Sequence, residues 1–373
     1  MQTISIHGAS GSIGLNAIDI IQRNPHRFQV EVLIGGSDVD KLAAIAKGVN
    51  AKHVAIADST KYQALKEHLP GAHIYAGPAG ILEAASINVD ICLAAITGAA
   101  GLLPTYTALS YCKRLALANK ESIVAAGEQV MAKAQACGTQ ILPVDSEHSA
   151  LFQIFDEYQR SALRNVTITA SGGPFRTWSK DQFATINKSM ALKHPNWSMG
   201  PKVTIDCATL MNKGLEYIEA VLLFKLAPDQ VKVIVHPQSI IHALSSYEDG
   251  TTLAHLGMPD MRTPISYALS WPQRIKTPVA PLDLASIATL SFEAPDYDRF
   301  PCLQMAEAAM KDSQAARIIM NAANEVAVKK FLAEEIHFTE IPVLIQKFLD
   351  NVPLCPINSI EDVIALDHDC RVS

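Results

Sequence analysis

Apolar residues change period along the chain in a regular way. Thr3-Ile4-Ser5-Ile6-His7 is a short β-prone run that enters Gly8-Ala9-Ser10-Gly11-Ser12-Ile13-Gly14, after which Ile13, Ala17, Ile20 and Ile21 recur at helical spacing. The predicted order is strand, glycine loop, helix. The alternation then repeats, with strands expected over 28–34, 53–57, 89–95 and 115–118 and helices over 40–47, 59–68 and 121–137. Such alternation implies a parallel sheet covered on both faces, so residues 1–144 are expected to form a doubly wound, Rossmann-like α/β domain.

After Ile141–Val144 the pattern changes. Residues 145–264 mix helical and strand periods, which predicts a second α/β or α+β domain with antiparallel strands. Runs 240–247 and 251–256 flank Glu248-Asp249-Gly250, where Asp-Gly supplies the positive φ that a hairpin turn needs. Residues 265–300 combine Pro272, Pro278, Pro281 and Pro295 with little periodicity and read as a linker. Helical spacing over 302–311, 313–332, 341–349 and 359–366 predicts a small helical bundle across 301–373.

Composition narrows the functional classes. The chain has 373 residues, enough for two or three domains, and its 49% hydrophobic and 18% charged content excludes a disordered scaffold. A net charge of −6 offers no overall field for phosphate backbones or anionic lipid, so nucleic acid is not expected as a partner. The longest apolar stretch, Ile91 to Pro104, is broken by Thr97, Gly98 and Gly101 and falls short of the ~20 residues of a spanning helix, so no membrane partner is expected either. Seven scattered cysteines without a CxxC pair suit a reducing cytoplasm. The N-terminus has neither a basic n-region nor an apolar h-region, which predicts a mature protein starting about where the sequence does.

The candidate chemistry sits at ends of elements. Gly8, Gly11 and Gly14 form G-x-x-G-x-x-G between a strand and a helix, where backbone N–H groups can meet a pyrophosphate; a tight turn without ligand is the competing reading. The second strand ends in Gly35-Gly36-Ser37-Asp38. Exposed amides and a hydroxyl there suit a 2′-phosphate and weakly favour NADP, while an inward Asp38 would repel one. In Val144-Asp145-Ser146-Glu147-His148, an extended backbone would project Asp145 and Glu147 to one side, as hard oxygen ligands for Mg²⁺ or Mn²⁺. A helix N-cap explains the same pentapeptide. Asn212, Lys213 and Glu216 place an amide, an ammonium and a carboxylate within five residues, suited to a phosphate and a metal, or to a solvated helix start. Ser171-Gly172-Gly173, another glycine loop after a strand, favours an anion pocket. His194-Pro195-Asn196-Trp197-Ser198-Met199-Gly200 has no period and suits a lid, or a loop with a core-anchoring Trp. Lys120, in Asn119-Lys120-Glu121 at a strand's C-terminal end, could polarise a substrate oxygen or simply end a strand at the surface.

Taken together, GASGSIG, ANKES, VDSEH, SGGPFR, HPNWSMG, ATLMNKGLEYIEA, HPQSIIH, LGMPDMRTPI and AANE occur in the order found in the 1-deoxy-D-xylulose 5-phosphate reductoisomerase family, which the chain resembles from its first residue into its last helices. The resemblance implies an NADPH- and Mg²⁺- or Mn²⁺-dependent oxidoreductase acting on a small sugar phosphate, in a homodimer. It implies Asp145, Glu147 and Glu216 as metal ligands and Lys120, Glu147 and His194 as catalytic. Ser146, Ser171, Trp197, Cys207, Asn212 and Lys213 would join Lys120, Glu147, His194 and Glu216 on the substrate. Ser10, Gly11, Ser12, Ile13, Gly36, Ser37, Asp38, Asn119, Glu121 and Gly200 would face the cofactor. Against the family pattern, Ser10 replaces Thr, Asp38 replaces Asn, Ser37 stands where a Lys can stand, and Cys207 replaces a Ser on the substrate phosphate; the last helical region is short. Two other classes share part of this pattern. A metal-dependent decarboxylating dehydrogenase needs carboxylate-clamping arginines, and the candidate pocket offers mainly Arg176; a dinucleotide sensor needs an output module, such as a basic recognition helix.

Overall fold

The computed structural model describes residues 1–193, 197 and 199–372. They divide into two compact units. The first comprises Met1–Ser122, Val130–Ser149 and Met261–Val279; the second comprises Ile123–Gln129, Ala150–Asp260 and Ala280–Ser373.

The first unit follows the predicted alternation: β1 (Gln2–His7), α1 (Ser12–Arg23), β2 (Phe28–Gly35), α2 (Val39–Val49), β3 (His53–Ile56), α3 (Tyr62–His68), β4 (His73–Ala76), α4 (Gly77–Ala85), β5 (Val89–Ala94), α5 (Leu102–Ala108), β6 (Cys112–Leu117), α6 (Lys120–Cys137) and β7 (Gln140–Pro143). The seven strands are all parallel, in the order β4-β3-β2-β1-β5-β6-β7. Central strands are buried on both faces, because helices cover both sides: in β1, Ile4 and Ile6 point to one side and Ser5 and His7 to the other, and all four are buried. Helix α1 buries Ala17, Ile18, Ile20 and Ile21, while Ser12, Gln22 and Arg23, with Leu15, are exposed. The short edge pair β4 and α4 and the helix α5 were not predicted; four-residue strands and short helices carry too few repeats for a period to register.

Helix α7 (Ser146–Ile154) begins two residues after Val144. This corrects the extended reading of Val144–His148: Asp145 precedes the helix, its carbonyl accepting from Ser149 N at 2.8 Å, and Glu147 stands in the first turn. Both acids therefore meet the positive end of a helix.

The second unit contains β8 (Leu163–Ala170), α8 (Lys188–Ala191), α9 (Pro201–Ala208), α10 (Met211–Phe224), β9 (Val231–Val235), β10 (Ile241–Tyr247) and β11 (Thr252–Leu256). The sheet order is β11-β10-β8-β9, with the expected antiparallel β10–β11 hairpin; β8 and β9 pair in parallel, where only antiparallel strands were expected. Val203-Thr204-Ile205 looks strand-like in composition but lies in α9, because Gly200 and Pro201 start a helix there and Thr204 and Ile205 are buried from it. Helix α11 (Arg262–Ser270) then returns the chain to the first unit, packing on α1, β6 and β7. The linker reading of 265–300 is thereby corrected at its start. Ile265, Ala268 and Leu269 are buried, and Arg114 Nη1 donates to Trp271 O at 2.7 Å. Pro264 sits in the first helical turn, where it costs no backbone hydrogen bond.

After α12 (Leu284–Ile287) come α13 (Pro301–Asp312), α14 (Gln314–Leu332), α15 (Glu340–Asn351) and α16 (Ile360–Val372), close to the four predicted helices. They are not a separate domain. Helix α10 packs on α13, α9 on α14, and one buried cluster joins Ile168, Phe175 and Leu215 to Leu303, Met320 and Ile341. No helix of the described residues is long and apolar enough to cross a membrane.

Candidate functional site

Strand order reverses direction between β1 and β5, so the carboxyl ends of these neighbours open the crevice where doubly wound sheets take ligands. Gly8 leaves β1 there at φ 86°. A Cβ on it would lie 2.4 Å from Ala95 O and 3.0 Å from Ile96 N, on the chain leaving β5. The Gly8 carbonyl accepts from Gly11 N at 3.0 Å, and Gly11 caps α1 without a side-chain bond, so no side chain competes with an anion for the first turn. Ser10, Gly11, Ser12 and Ile13 all belong to this turn.

Gly36, Ser37 and Asp38 follow β2 and are exposed. Asp38 has a local task as well, since its Oδ1 accepts from Lys41 N at 3.0 Å and caps α2. Asn119 is buried and ties two crevice loops together. Its Nδ2 donates to Ile96 O at 2.6 Å, Gly98 O at 3.0 Å and Glu121 Oε2 at 3.0 Å, while its Oδ1 accepts from Ser122 N at 3.0 Å and caps α6. Glu121 is buried beside it.

Lys120 and Asp145, at the ends of β6 and β7, form a nearly enclosed ion pair with Nζ 2.6 Å from Oδ2. His148 Nδ1 lies 3.5 Å from the other Asp145 oxygen. Ser146 Oγ donates to Glu147 Oε2. A hydroxyl, an ammonium and two carboxylates thus converge at the start of α7, beyond the carboxyl ends of the strands. The two carboxylates and the hydroxyl offer hard oxygen donors of the kind Mg²⁺ and Mn²⁺ accept.

In the second unit, the loop after β8 turns back on itself. Ser171 Oγ accepts from Gly173 N at 3.2 Å, and Phe175 anchors the loop by burying its ring against Trp178 and Phe338, at centroid distances of 5.0 and 5.3 Å. Half-buried Cys207 lies near the end of α9. In α10, the Asn212 amide and the Lys213 ammonium both donate to the Glu216 carboxylate, and Lys213 and Glu216 are buried; helical spacing of three and four brings the trio together. Trp197 lies 6.5 Å, ring to ring, from His242. Burial, with His255 beside it, lowers the His242 pKa to about 4, so this ring is neutral at pH 7. His194, the imidazole expected in the lid, lies outside the described residues, as do Pro195, Asn196 and Ser198; Gly200 caps α9. His242 and Phe175 stand in the quoted runs HPQSIIH and SGGPFR but were given no task, because periodicity does not say which polar or aromatic residue turns toward a site.

The chain matches three family descriptions in succession: 1-deoxy-D-xylulose 5-phosphate reductoisomerase over residues 4–127, the C-terminal domain of that enzyme over 141–224, and the DXP reductoisomerase C-terminal domain over 256–373. A 1-deoxy-D-xylulose 5-phosphate reductoisomerase of Zymomonas mobilis is 47% identical over all of the chain and 96% of its own length. One from Rhodopseudomonas palustris is 48% identical, over all of the chain and 93% of its own length. The fold is similar to the solved structure of a 1-deoxy-D-xylulose 5-phosphate reductoisomerase from Zymomonas mobilis in complex with NADPH, with a TM-score of 0.93 at 45% identity. A DOX-P reductoisomerase in complex with NADPH, fosmidomycin and magnesium gives a TM-score of 0.96 at 40% identity; both alignments cover all of the chain and 97% of the other.

Proposed function

The chain belongs to the 1-deoxy-D-xylulose 5-phosphate reductoisomerase family, and from that premise we infer that it rearranges 1-deoxy-D-xylulose 5-phosphate and reduces the product to 2-C-methyl-D-erythritol 4-phosphate in isoprenoid biosynthesis. It is an NADPH-dependent oxidoreductase that uses a divalent metal. The observation that carries this reading lies in the first unit: a glycine loop at the switch point of a parallel sheet, and Lys120, Asp145, Ser146 and Glu147 at the ends of the same sheet's strands.

Each proposed residue has a chemical task. Ser10, Gly11, Ser12 and Ile13 receive the cofactor pyrophosphate on the open first turn of α1, and Gly36, Ser37 and Asp38 face its ribose; Asn119, Glu121 and Gly200 complete the cofactor set. Asp145, Glu147 and Glu216 fit a hard divalent ion, being carboxylates with no soft donor among them. When bound, that ion supplies Lewis acidity toward a ketone and a neighbouring hydroxyl. Lys120 and Ser146 hold the oxygens of the reacting carbons. Lys120, held against Asp145 at 2.6 Å, would donate to the oxygen on which charge develops. Ser171, Cys207, Asn212 and Lys213 would bind the sugar phosphate, and the family likeness assigns His194 and Trp197 to the substrate as well; NADPH, when bound, would supply the hydride for the reduction. The support for these assignments is the motif-by-motif likeness together with the local geometry above.

The reading is tested by following NADPH oxidation with 1-deoxy-D-xylulose 5-phosphate, with and without Mg²⁺. Oxidation that stops in chelator and returns with Mg²⁺ is expected; none under any condition would overturn it. Glu147→Gln should abolish nearly all turnover and leave NADPH affinity within about twofold, since that carboxylate is assigned to the metal. A homodimer is proposed from the family likeness, and a reducing cytoplasm from the scatter of seven cysteines without a CxxC pair.

A further inference from the structure

The proposed phosphate ligands depend on one short stretch of backbone, the end of α9 and its turn into α10. Gly173, at φ 69°, approaches it so closely that a Cβ would lie 2.6 Å from the Cys207 carbonyl oxygen and 3.3 Å from Ala208 Cα. Thr209 Oγ1 donates to the carbonyls of Ile205 and Asp206 at 3.2 Å and accepts from Met211 N at 3.3 Å. Leu210 turns the corner at φ 60°, and Asn212 and Lys213 follow in the first turn of α10. Whatever holds the last turn of α9 therefore holds the Ser171 loop, Cys207, Asn212 and Lys213 in common.

That turn is gripped from behind by a buried polar contact. Asp206 is 1% exposed; its Oδ1 accepts from Asn324 Nδ2 on α14 at 2.9 Å, and its Oδ2 lies 2.9 Å from Lys202 Nζ one turn earlier. Asn324 is fully buried in the AANE run, with Asn321 and Arg317 at preceding turns of the same helix face. Both amide atoms of Asn321 and the Oδ1 of Asn324 have no hydrogen-bond partner among the described residues. Burial, with Asp206 nearby, pushes the Cys302 thiol up to about 12. Two helices packing through apolar side chains would hold together without these groups, and a buried carboxylate is poor at adding stability; what it does provide is a directional contact that admits one rotation and one axial position. We propose that Asn324, through Asp206, is a positioning residue for the sugar-phosphate site. It sets the last turn of α9 and so the spacing of the phosphate ligands, without touching substrate.

The proposal rests on the reductoisomerase reading, and wild-type turnover of 1-deoxy-D-xylulose 5-phosphate separates the two: no turnover fails that reading, whereas turnover lets the variants judge this one. The variants are Asn324→Ala, Asn324→Asp, Asp206→Asn and the double exchange Asp206→Asn with Asn324→Asp, each followed by initial rates and thermal melting. Asn324→Ala is expected to raise KM for the sugar phosphate about tenfold or more, equivalent to about 1.4 kcal/mol, with KM for NADPH and kcat within about threefold. The double exchange should recover most of that loss, because amide and carboxylate trade places across the same contact. Should the alanine variant fail to fold, the isosteric Asn324→Asp decides by the same split. Variants that melt lower at unchanged sugar-phosphate KM would make the contact merely structural. So would equal rises in both KM values, or a double exchange no better than the single changes.

Discussion

Gly8 joins the strongest sequence signal to the tightest approach in the cofactor crevice, so Gly8→Ala tests the crevice directly. An alanine at φ 86° bears roughly 1–2 kcal/mol of left-handed strain. Its Cβ would also meet Ala95 O at 2.4 Å and Ala95 C at 2.7 Å, both backbone atoms that cannot rotate aside. Relieving that overlap adds about 1–3 kcal/mol, for a total of about 2–5 kcal/mol. Gly138 is the internal control: it lies in the same unit at φ 68°, with nothing within 4 Å of its would-be Cβ, so Gly138→Ala bears the strain alone. The β1 and β5 ends must part by roughly 1 Å to admit the new methyl, and misplacement on that scale can cost about a hundredfold where groups must meet a ligand. NADPH binding, titrated by its fluorescence, is therefore expected to weaken about tenfold or more in Gly8→Ala and to stay unchanged in Gly138→Ala. Melting curves should rank wild type above Gly138→Ala above Gly8→Ala. The reasoning is refuted if Gly8→Ala binds NADPH as tightly as wild type, or if the two variants lose equal stability and equal affinity.

Cys207→Ser restores a good hydrogen-bond donor where a thiol is a poor one; regaining about 1 kcal/mol toward a charged phosphate lowers KM for the sugar phosphate roughly fivefold, and an unchanged KM would remove Cys207 from the site. Asp38→Asn keeps a competent cap on α2, so melting should not change, while loss of a negative charge near the ribose 2′ position should lower KM for NADPH and not for NADH; equal shifts in both would mean that position 38 faces elsewhere. Burial lowers the His7 pKa from 6.5 to about 4, so between those values the unfolded chain binds a proton that the folded one refuses. Stability is therefore complete above pH 6.5 and falls as pH drops toward 4, by at most about 1.4 kcal/mol per pH unit from this group. Urea unfolding at pH 7 and pH 5 should show a smaller difference in His7→Gln than in wild type, and equal differences would remove His7 as a source.

What the sequence determines by itself is local and periodic. The helix–strand alternation of the first 144 residues, the hairpin around Asp249-Gly250 and the four C-terminal helices are legible because each side-chain period reports one buried face, and turns need particular backbone angles. The glycine loop is legible for the same reason, and the acids of Val144–His148 stand out within a few consecutive residues, but their place at a helix start, not in an extended run, is decided by the fold. Tertiary structure decides the rest. Residues 265–270 read as the start of a linker, yet Ile265, Ala268 and Leu269 become part of a helix because α1, β6 and β7 supply the surface that buries them. Val203–Ile205 has a strand's composition but takes the helix that Gly200 and Pro201 begin, where packing outweighs the weak preference of β-branched residues. The grip of Asn324 on Asp206 spans 118 positions, and no period or local spacing connects residues so far apart. Only the packing of α14 on α9 gives that pair its distance, and with it the contact on which the proposed positioning of the phosphate ligands rests.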